Sequence, residues 1–159
     1  MKKLTVLLMV VMTLAANAYG AGTIVVSDPV YLAWGRNMVT VTFTCTADAA
    51  DQSYPAAAIN QDNADVNTDL IGYWLSHVKV VPGATGPTDN SDLTITVNGE
   101  DILGGNGANI VDNATGGHCV PYGSNGDAQY PMTGDVLTLN LTGNAVNSAV
   151  VTVTLVFEK

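Results

Sequence analysis

Hydrophobic and polar residues alternate along several segments of the chain, which is the pattern of β-strands with one buried face. In Val39–Thr46, valine, phenylalanine and cysteine occupy one face and four threonines occupy the other. The same period of two runs through Asp92–Val97 and through Ala149–Phe157. Less regular strands are predicted over Thr23–Val26, Val30–Trp34, Leu70–Val81 and Val136–Leu141.

Turn residues separate these segments, and no segment has the period of a helix. Asn98-Gly99 is a strong signal for a hairpin turn, because both residues accept a positive φ. Two long segments, Ala47–Asp69 and Gly104–Tyr130, lack the alternation, and we expect them to be surface excursions. The pattern therefore predicts an all-β fold, a single antiparallel β-sandwich or jelly-roll-like domain over residues 19–159.

The N-terminus has the features of an export signal. Lys2-Lys3 precede an apolar run from Leu4 to Leu14, and Ala16-Asn17-Ala18 fits the small-x-small cleavage rule. A membrane anchor is the alternative, but the run is shorter than the roughly 20 residues that span a bilayer. We therefore predict a signal peptide at residues 1–18 and a secreted domain that is extracellular, on the cell surface or periplasmic.

The charge balance limits the partners. The chain has 14 acidic residues against 5 Lys and Arg, for a net charge of −9. Removal of the signal leaves Arg36, Lys79 and Lys159 as the only basic side chains. Such a surface repels phosphate backbones and anionic lipids, so we expect neither nucleic-acid binding nor membrane insertion after signal cleavage.

Two cysteines leave two alternatives open. In an exported protein, Cys45 and Cys119 form either one disulfide that closes a long loop or two separate thiols, one of them buried in a strand. The oxidising compartment favours the disulfide.

No catalytic constellation is visible in the sequence. A G-x-S-x-G nucleophile elbow is missing, and the neighbours Ser76 and His77 are expected on opposite faces of a strand. His118 beside Cys119 lacks the paired spacing of a zinc site. We predict no catalytic residue, no enzymatic activity and no bound cofactor other than a candidate calcium ion.

Calcium is the candidate because one loop concentrates hard oxygen ligands. These are Asp62, Asp65, Asn67 and Asp69, although their spacing does not match an EF-hand and an acidic loop is usually only solvated. Aromatic residues such as Trp34 and Tyr122 suggest a sugar-binding face, which core packing and scattered surface positions explain equally well.

One stretch resembles a known family. The resemblance lies in Pro82-Gly83, Pro87-Thr88, Asp92-Leu93-Thr94-Ile95, Asp101-Ile102-Leu103-Gly104-Gly105 and Gly107-Ala108-Asn109. This series is similar to small proteins encoded among the structural genes of tailed bacteriophages and prophages. The resemblance implies a β-sandwich with a virion-associated or assembly role. The signal peptide, the cysteine pair and the Ala47–Asp69 insertion depart from the family pattern.

These observations lead to two functional hypotheses. The first is a non-enzymatic structural protein, an exported β-sandwich subunit of a surface, filament or virion-like assembly whose partner is itself or another surface or virion protein. Its location is the virion if the protein is encoded by a phage. The alternative is a secreted calcium- or carbohydrate-binding module.

Overall fold

The structure is a computed structural model that describes residues 22–32, 38–122 and 128–159. The predicted signal peptide and Trp34 lie outside these residues. In the described part, the strands are β1 (Thr23–Val26), β2 (Val30–Leu32), β3 (Met38–Thr46), β4 (Ala57–Ala58), β5 (Trp74–Pro82), β6 (Asp92–Val97), β7 (Glu100–Asp101), β8 (Gly117–Cys119), β9 (Tyr130–Pro131), β10 (Thr138–Thr142) and β11 (Val150–Glu158), and a short helix, α1, covers Val66–Asp69.

The strands form two antiparallel sheets. The first has the order β1-β3-β11-β5-β8, with β2 also pairing with β3 and β9 also pairing with β5. The second has the order β4-β10-β6-β7. The inner faces of both sheets belong to one hydrophobic core. The predicted all-β, sandwich-like fold is confirmed.

The core follows the alternation in the sequence. On β3, Val39, Val41 and Phe43 are buried and the intervening threonines face outward. β11 lies between β3 and β5 and buries alternate residues in the same way. The second sheet adds Ile95 and Leu139, which are paired across β6 and β10. Burial of these side chains, worth roughly 1.5–3 kcal/mol each, supplies the main stabilisation.

The segment predicted as one strand over Leu70–Val81 is divided in the structure. The Leu70 N–H donates to the Val66 carbonyl oxygen at 3.1 Å and ends α1, and Gly72 then turns the chain at φ 83°. β5 begins only at Trp74 and runs to Pro82. The apolar residues at 70 and 71 thus do not belong to the strand, which periodicity alone does not distinguish.

The two long excursions contribute to the core as well as to the surface. Ala57 of β4 pairs with Leu139 and is buried, and Ile59 and Val66 that follow are fully buried. In the second excursion, Val111 is buried and β8 adds a strand to the first sheet. Both excursions are therefore parts of the fold, which corrects the expectation of surface loops.

The predicted hairpin turn is confirmed. Asn98 and Gly99 have φ of 51° and 86°, and Val97 pairs with Glu100 across the turn. Two successive positive φ values are those of the type I′ turn that matches strand twist.

The favoured disulfide is absent, since Cys45 and Cys119 are both free thiols. They lie on β3 and β8, and β11 and β5 separate these strands. Three strand spacings amount to roughly 14 Å, far beyond the Cα separation of about 6 Å that a disulfide bridges. Burial raises the pKa of Cys45 to about 12 and that of Cys119 to about 11, so both behave as inert core residues.

Tyr54 carries a buried hydroxyl without a hydrogen-bond partner among the described residues. Burial, and secondly the neighbouring Cys45, raises the pKa of Tyr54 to about 12. An unpaired buried hydroxyl is unfavourable, so Tyr54→Phe is expected to increase the free energy of unfolding by about 1 kcal/mol. Urea unfolding measures the change, and Tyr122→Phe at an exposed tyrosine is the control. A loss of stability in Tyr54→Phe alone contradicts the prediction.

Candidate functional site

One edge of the first sheet is built from two strands that follow each other along β3. β1 pairs with residues 43–46 of β3, and β2 pairs with residues 38–40 of β3. Ser27, Asp28 and Pro29 interrupt the edge between them. The two halves of this edge differ in how their outward backbone groups are satisfied.

The β1 half is closed by side chains from the first excursion. Gln61 Nε2 donates to the Ile24 carbonyl oxygen at 2.6 Å, and the Val26 N–H donates to Asp62 Oδ2, also at 2.6 Å. Both backbone groups point away from β3 and would otherwise be free to pair with another strand. Side chains that occupy an edge in this way prevent unwanted strand pairing.

The β2 half is open. The Ser27 N–H donates to the Thr42 carbonyl oxygen at 2.8 Å, so the even-numbered residues of β3 direct their backbone groups toward this edge. By the alternation of an antiparallel ladder, Tyr31, opposite Val39, then directs its own N–H and C=O away from β3. Within the described residues, no hydrogen bond reaches these two groups.

The side chains of β2 are apolar and exposed. Val30, Tyr31 and Leu32 are 52%, 59% and 44% exposed, and no charged residue lies among them. Partial loss of hydration at the Tyr31 hydroxyl and, secondly, the negative charge of Asp69 raise the pKa of Tyr31. We call Val30–Leu32, with the outward backbone groups of Tyr31, the β2 edge. An apolar strand with free backbone groups is suited to pairing with a further strand.

Two of the four predicted calcium ligands, Asp62 and Asn67, use their side chains in hydrogen bonds to the backbone, and the other two take part in α1 through their backbone. Asp62 closes the β1 edge, and the backbone carbonyl of Asp65 accepts two N–H groups at the start of α1. Asn67 Nδ2 donates to the Gly134 carbonyl oxygen at 2.9 Å, and Asp69 ends α1. Across residues 22–32, 38–122 and 128–159, no group of three or more His, Cys, Asp or Glu is placed to hold a metal ion. Calcium binding at this loop stays a prediction.

The polar residues of the family-like stretch hold a loop against β6. The Leu103 and Gly105 N–H groups donate to the two carboxylate oxygens of Asp101, at 3.1 and 3.0 Å. The Asn109 N–H donates to Asp92 Oδ1 at 2.7 Å. Both carboxylate oxygens of Asp101 are thus engaged in a turn.

Ser76 and His77 form no nucleophile–base pair. The Ser76 hydroxyl donates to the Val156 carbonyl oxygen at 3.2 Å. His77 instead lies near His118, with ring centres 5.4 Å apart. The sequence did not indicate this proximity, because His118 lies in a glycine-rich segment where the short strand β8 has no alternation to detect.

A depression of about 570 Å³ opens on the outer side of the first sheet. Its lining residues are Trp74, Ser76, Val120, Ala128 and Gln129. Trp74 is 44% exposed there, and an exposed indole in a shallow depression is suited to stacking on a sugar ring. Tyr122, a candidate for sugar binding from the sequence, is also exposed.

None of the helices in the described part is long and apolar enough to cross a membrane. No protein-family model, curated protein or solved structure matches the chain. The resemblance to phage structural proteins therefore remains an expectation from the residues quoted above.

Proposed function

We propose that the protein is a non-enzymatic structural subunit, an exported β-sandwich that assembles by strand addition at the β2 edge. The strand that is added belongs to another copy of the chain or to another component of a surface, filament or virion-like assembly. The export part of the proposal rests on the N-terminal sequence, and the virion-like part rests on the resemblance of the 82–109 stretch.

The contrast between the two halves of one edge supports the proposal most directly. Gln61 and Asp62 occupy two outward backbone groups of β1, the Ile24 carbonyl oxygen and the Val26 N–H, while the outward groups of Tyr31 meet no partner among the described residues. Natural sheets protect their edges with charges, prolines or covering loops. An edge that is protected in one half and apolar in the other is best explained by a partner strand that pairs with the open half.

The type of contact follows from the chemistry of the β2 edge. Main-chain hydrogen bonds to Tyr31 would supply affinity, and the exposed Val30 and Leu32 side chains would supply an apolar contact. Val30 and Leu32 lie opposite Thr40 and Met38, so both project on the outer face of the sheet. A partner strand would therefore extend the sheet and cover both side chains at once.

The test is the size of the native protein with and without charge at the β2 edge. Light scattering and negative-stain microscopy of the wild type are expected to reveal dimers, filaments or particles. In the double variant Val30→Glu/Leu32→Glu, carboxylates at the contact oppose strand pairing, and we expect the mass to fall to that of the monomer. Circular dichroism should be unchanged, because both positions are exposed.

The matched control is Val81→Glu/Val136→Glu, which adds the same charge at two valines that are 40% and 38% exposed and lie away from the β2 edge. Assemblies that persist in the control and disappear in the edge variant support the proposal. A wild-type protein that is monomeric at all concentrations, alone and with its co-exported proteins, contradicts it. That result would favour the alternative, a calcium- or carbohydrate-binding module, for which the depression beside Trp74 is the supporting feature.

A further inference from the structure

The two histidines of the chain lie side by side on the outer face of the first sheet. They are the only histidines in the sequence. His77 is on β5 and His118 is on β8, and their ring centres are 5.4 Å apart with the planes tilted by 32°. His118 lies directly opposite Lys79, so it is the diagonal neighbour of His77 across the strand pair. Diagonal neighbours are within reach when the side chains are aromatic.

An irregularity of the backbone contributes to this arrangement. The register between β5 and β11 shifts at Val156/Phe157, where His77 faces Val156 and Leu75 faces Phe157. Ser76 is the extra residue of this bulge. Bulges change the direction of the neighbouring side chain and are common beside functional sites. Here the bulge precedes His77 directly.

The separation of the rings fits two ligands of one metal ion. With metal–nitrogen bonds of about 2.1 Å and a tetrahedral angle, two imidazoles on one ion have ring centres about 5.3 Å apart. The observed separation of 5.4 Å is close to this value. His118 is exposed and His77 is partly exposed, so an ion has access from solvent.

The surroundings select the class of ion. The ligands are nitrogen atoms, and Val156, which is opposite His77 on β11, carries no charge. Imidazole suits zinc, copper and nickel, whereas calcium and magnesium require several oxygen ligands. Lys79 is directly opposite His118, and its positive charge disfavours a bound cation.

We propose that His77 and His118 together bind one divalent transition-metal ion, Zn²⁺, Ni²⁺ or Cu²⁺, at the surface of the first sheet. Water completes the coordination on the open side. The ion joins β8 to β5, and it therefore stabilises the pairing of a three-residue strand at the edge of the sheet. This site is independent of the β2 edge, which lies at the opposite edge of the same sheet.

The test uses the untagged protein, so that no added histidine contributes. Isothermal titration with ZnCl₂ and with NiCl₂ at about pH 7.5 is expected to give one ion per chain. His77→Ala and His118→Ala are each expected to weaken metal binding at least about tenfold, because the remaining histidine holds the ion through a single nitrogen. The melting temperature of the wild type should rise in saturating metal and that of either variant should not.

Two further variants control for charge and for general surface effects. Lys79→Ala should bind the metal as tightly as the wild type or more tightly, because it removes a neighbouring positive charge. Thr44 lies on the outer face of β3, in the same sheet as the two histidines, and Thr44→Ala should not alter metal binding.

The proposal is overturned if the wild type does not bind either metal under these conditions. It is also overturned if the double variant His77→Ala/His118→Ala binds as well as the wild type, or if each single variant binds as well as Thr44→Ala. NMR signals of the two imidazoles provide an independent readout, since both sets should shift together as the metal is added.

Discussion

Gly107→Ala is expected to reduce the free energy of unfolding by about 3 kcal/mol or more. A Cβ atom at this position would overlap the carbonyl oxygen of Leu93 and would lie 2.9 Å from Leu103 Cδ1. Gly107 is buried, and its own carbonyl oxygen accepts the Leu93 N–H at 2.9 Å, so the loop cannot move away without breaking its attachment to β6. Overpacking of this kind costs about 1–3 kcal/mol, and more where the contact is with backbone.

Gly105 in the same loop is the matched control. It has φ of 84°, and a Cβ atom there would meet nothing within 4 Å. Gly105→Ala should therefore cost only the strain of a left-handed residue, about 1–2 kcal/mol. Urea unfolding of the two variants measures the difference. Equal losses in the two variants would show that close packing of Gly107 against β6 does not determine the conformation of this loop.

Phe43→Ala is expected to reduce the free energy of unfolding by about 3–5 kcal/mol. Phe43 is fully buried on β3, in the middle of the larger sheet, and pairs with Val26 on one side and Val153 on the other. Its removal leaves a cavity between the sheets in addition to the lost transfer free energy. Urea unfolding measures the loss, and the dependence of the free energy of unfolding on urea concentration should be unchanged.

The control is Thr44→Ala, the next residue of the strand, whose side chain is on the outer face. We expect a loss below about 1 kcal/mol there, because only strand propensity is affected. If Phe43→Ala loses no more than Thr44→Ala, the packing of the two sheets on one another does not supply the main stabilisation.

The sequence predicted the strands whose alternation is regular and long. Asp92–Val97 was predicted with the bounds observed, β3 begins one residue earlier than predicted, and β11 is shifted by one residue at both ends. The shorter and less regular Thr23–Val26 was also predicted with the bounds observed. Val39, Val41 and Phe43 were assigned to the correct face. In these segments, local pattern and tertiary burial agree, which is the condition under which periodicity is reliable.

The misses occurred where tertiary pairing decides the structure. Ala57 and Ala58 form a strand only because β10 lies beside them, and Gly117–Cys119 only because β5 does. Neither segment is long enough to show a period. The open β2 edge and the histidine pair follow from such pairings, so neither could be located from the sequence. The expected disulfide rested on compartment alone, without the strand order that separates Cys45 from Cys119.

The position of β11 bears on the order in which the chain can fold during synthesis. β11 is the last strand along the chain, yet it lies between β3 and β5 and pairs with both over most of its length. Until residues 150–158 have left the ribosome, β3 and β5 lack their common neighbour and the larger sheet remains in two separate parts. Long-range pairing of this kind also forms slowly. A nascent chain of this topology therefore completes its larger sheet only after residues 150–158 have been translated.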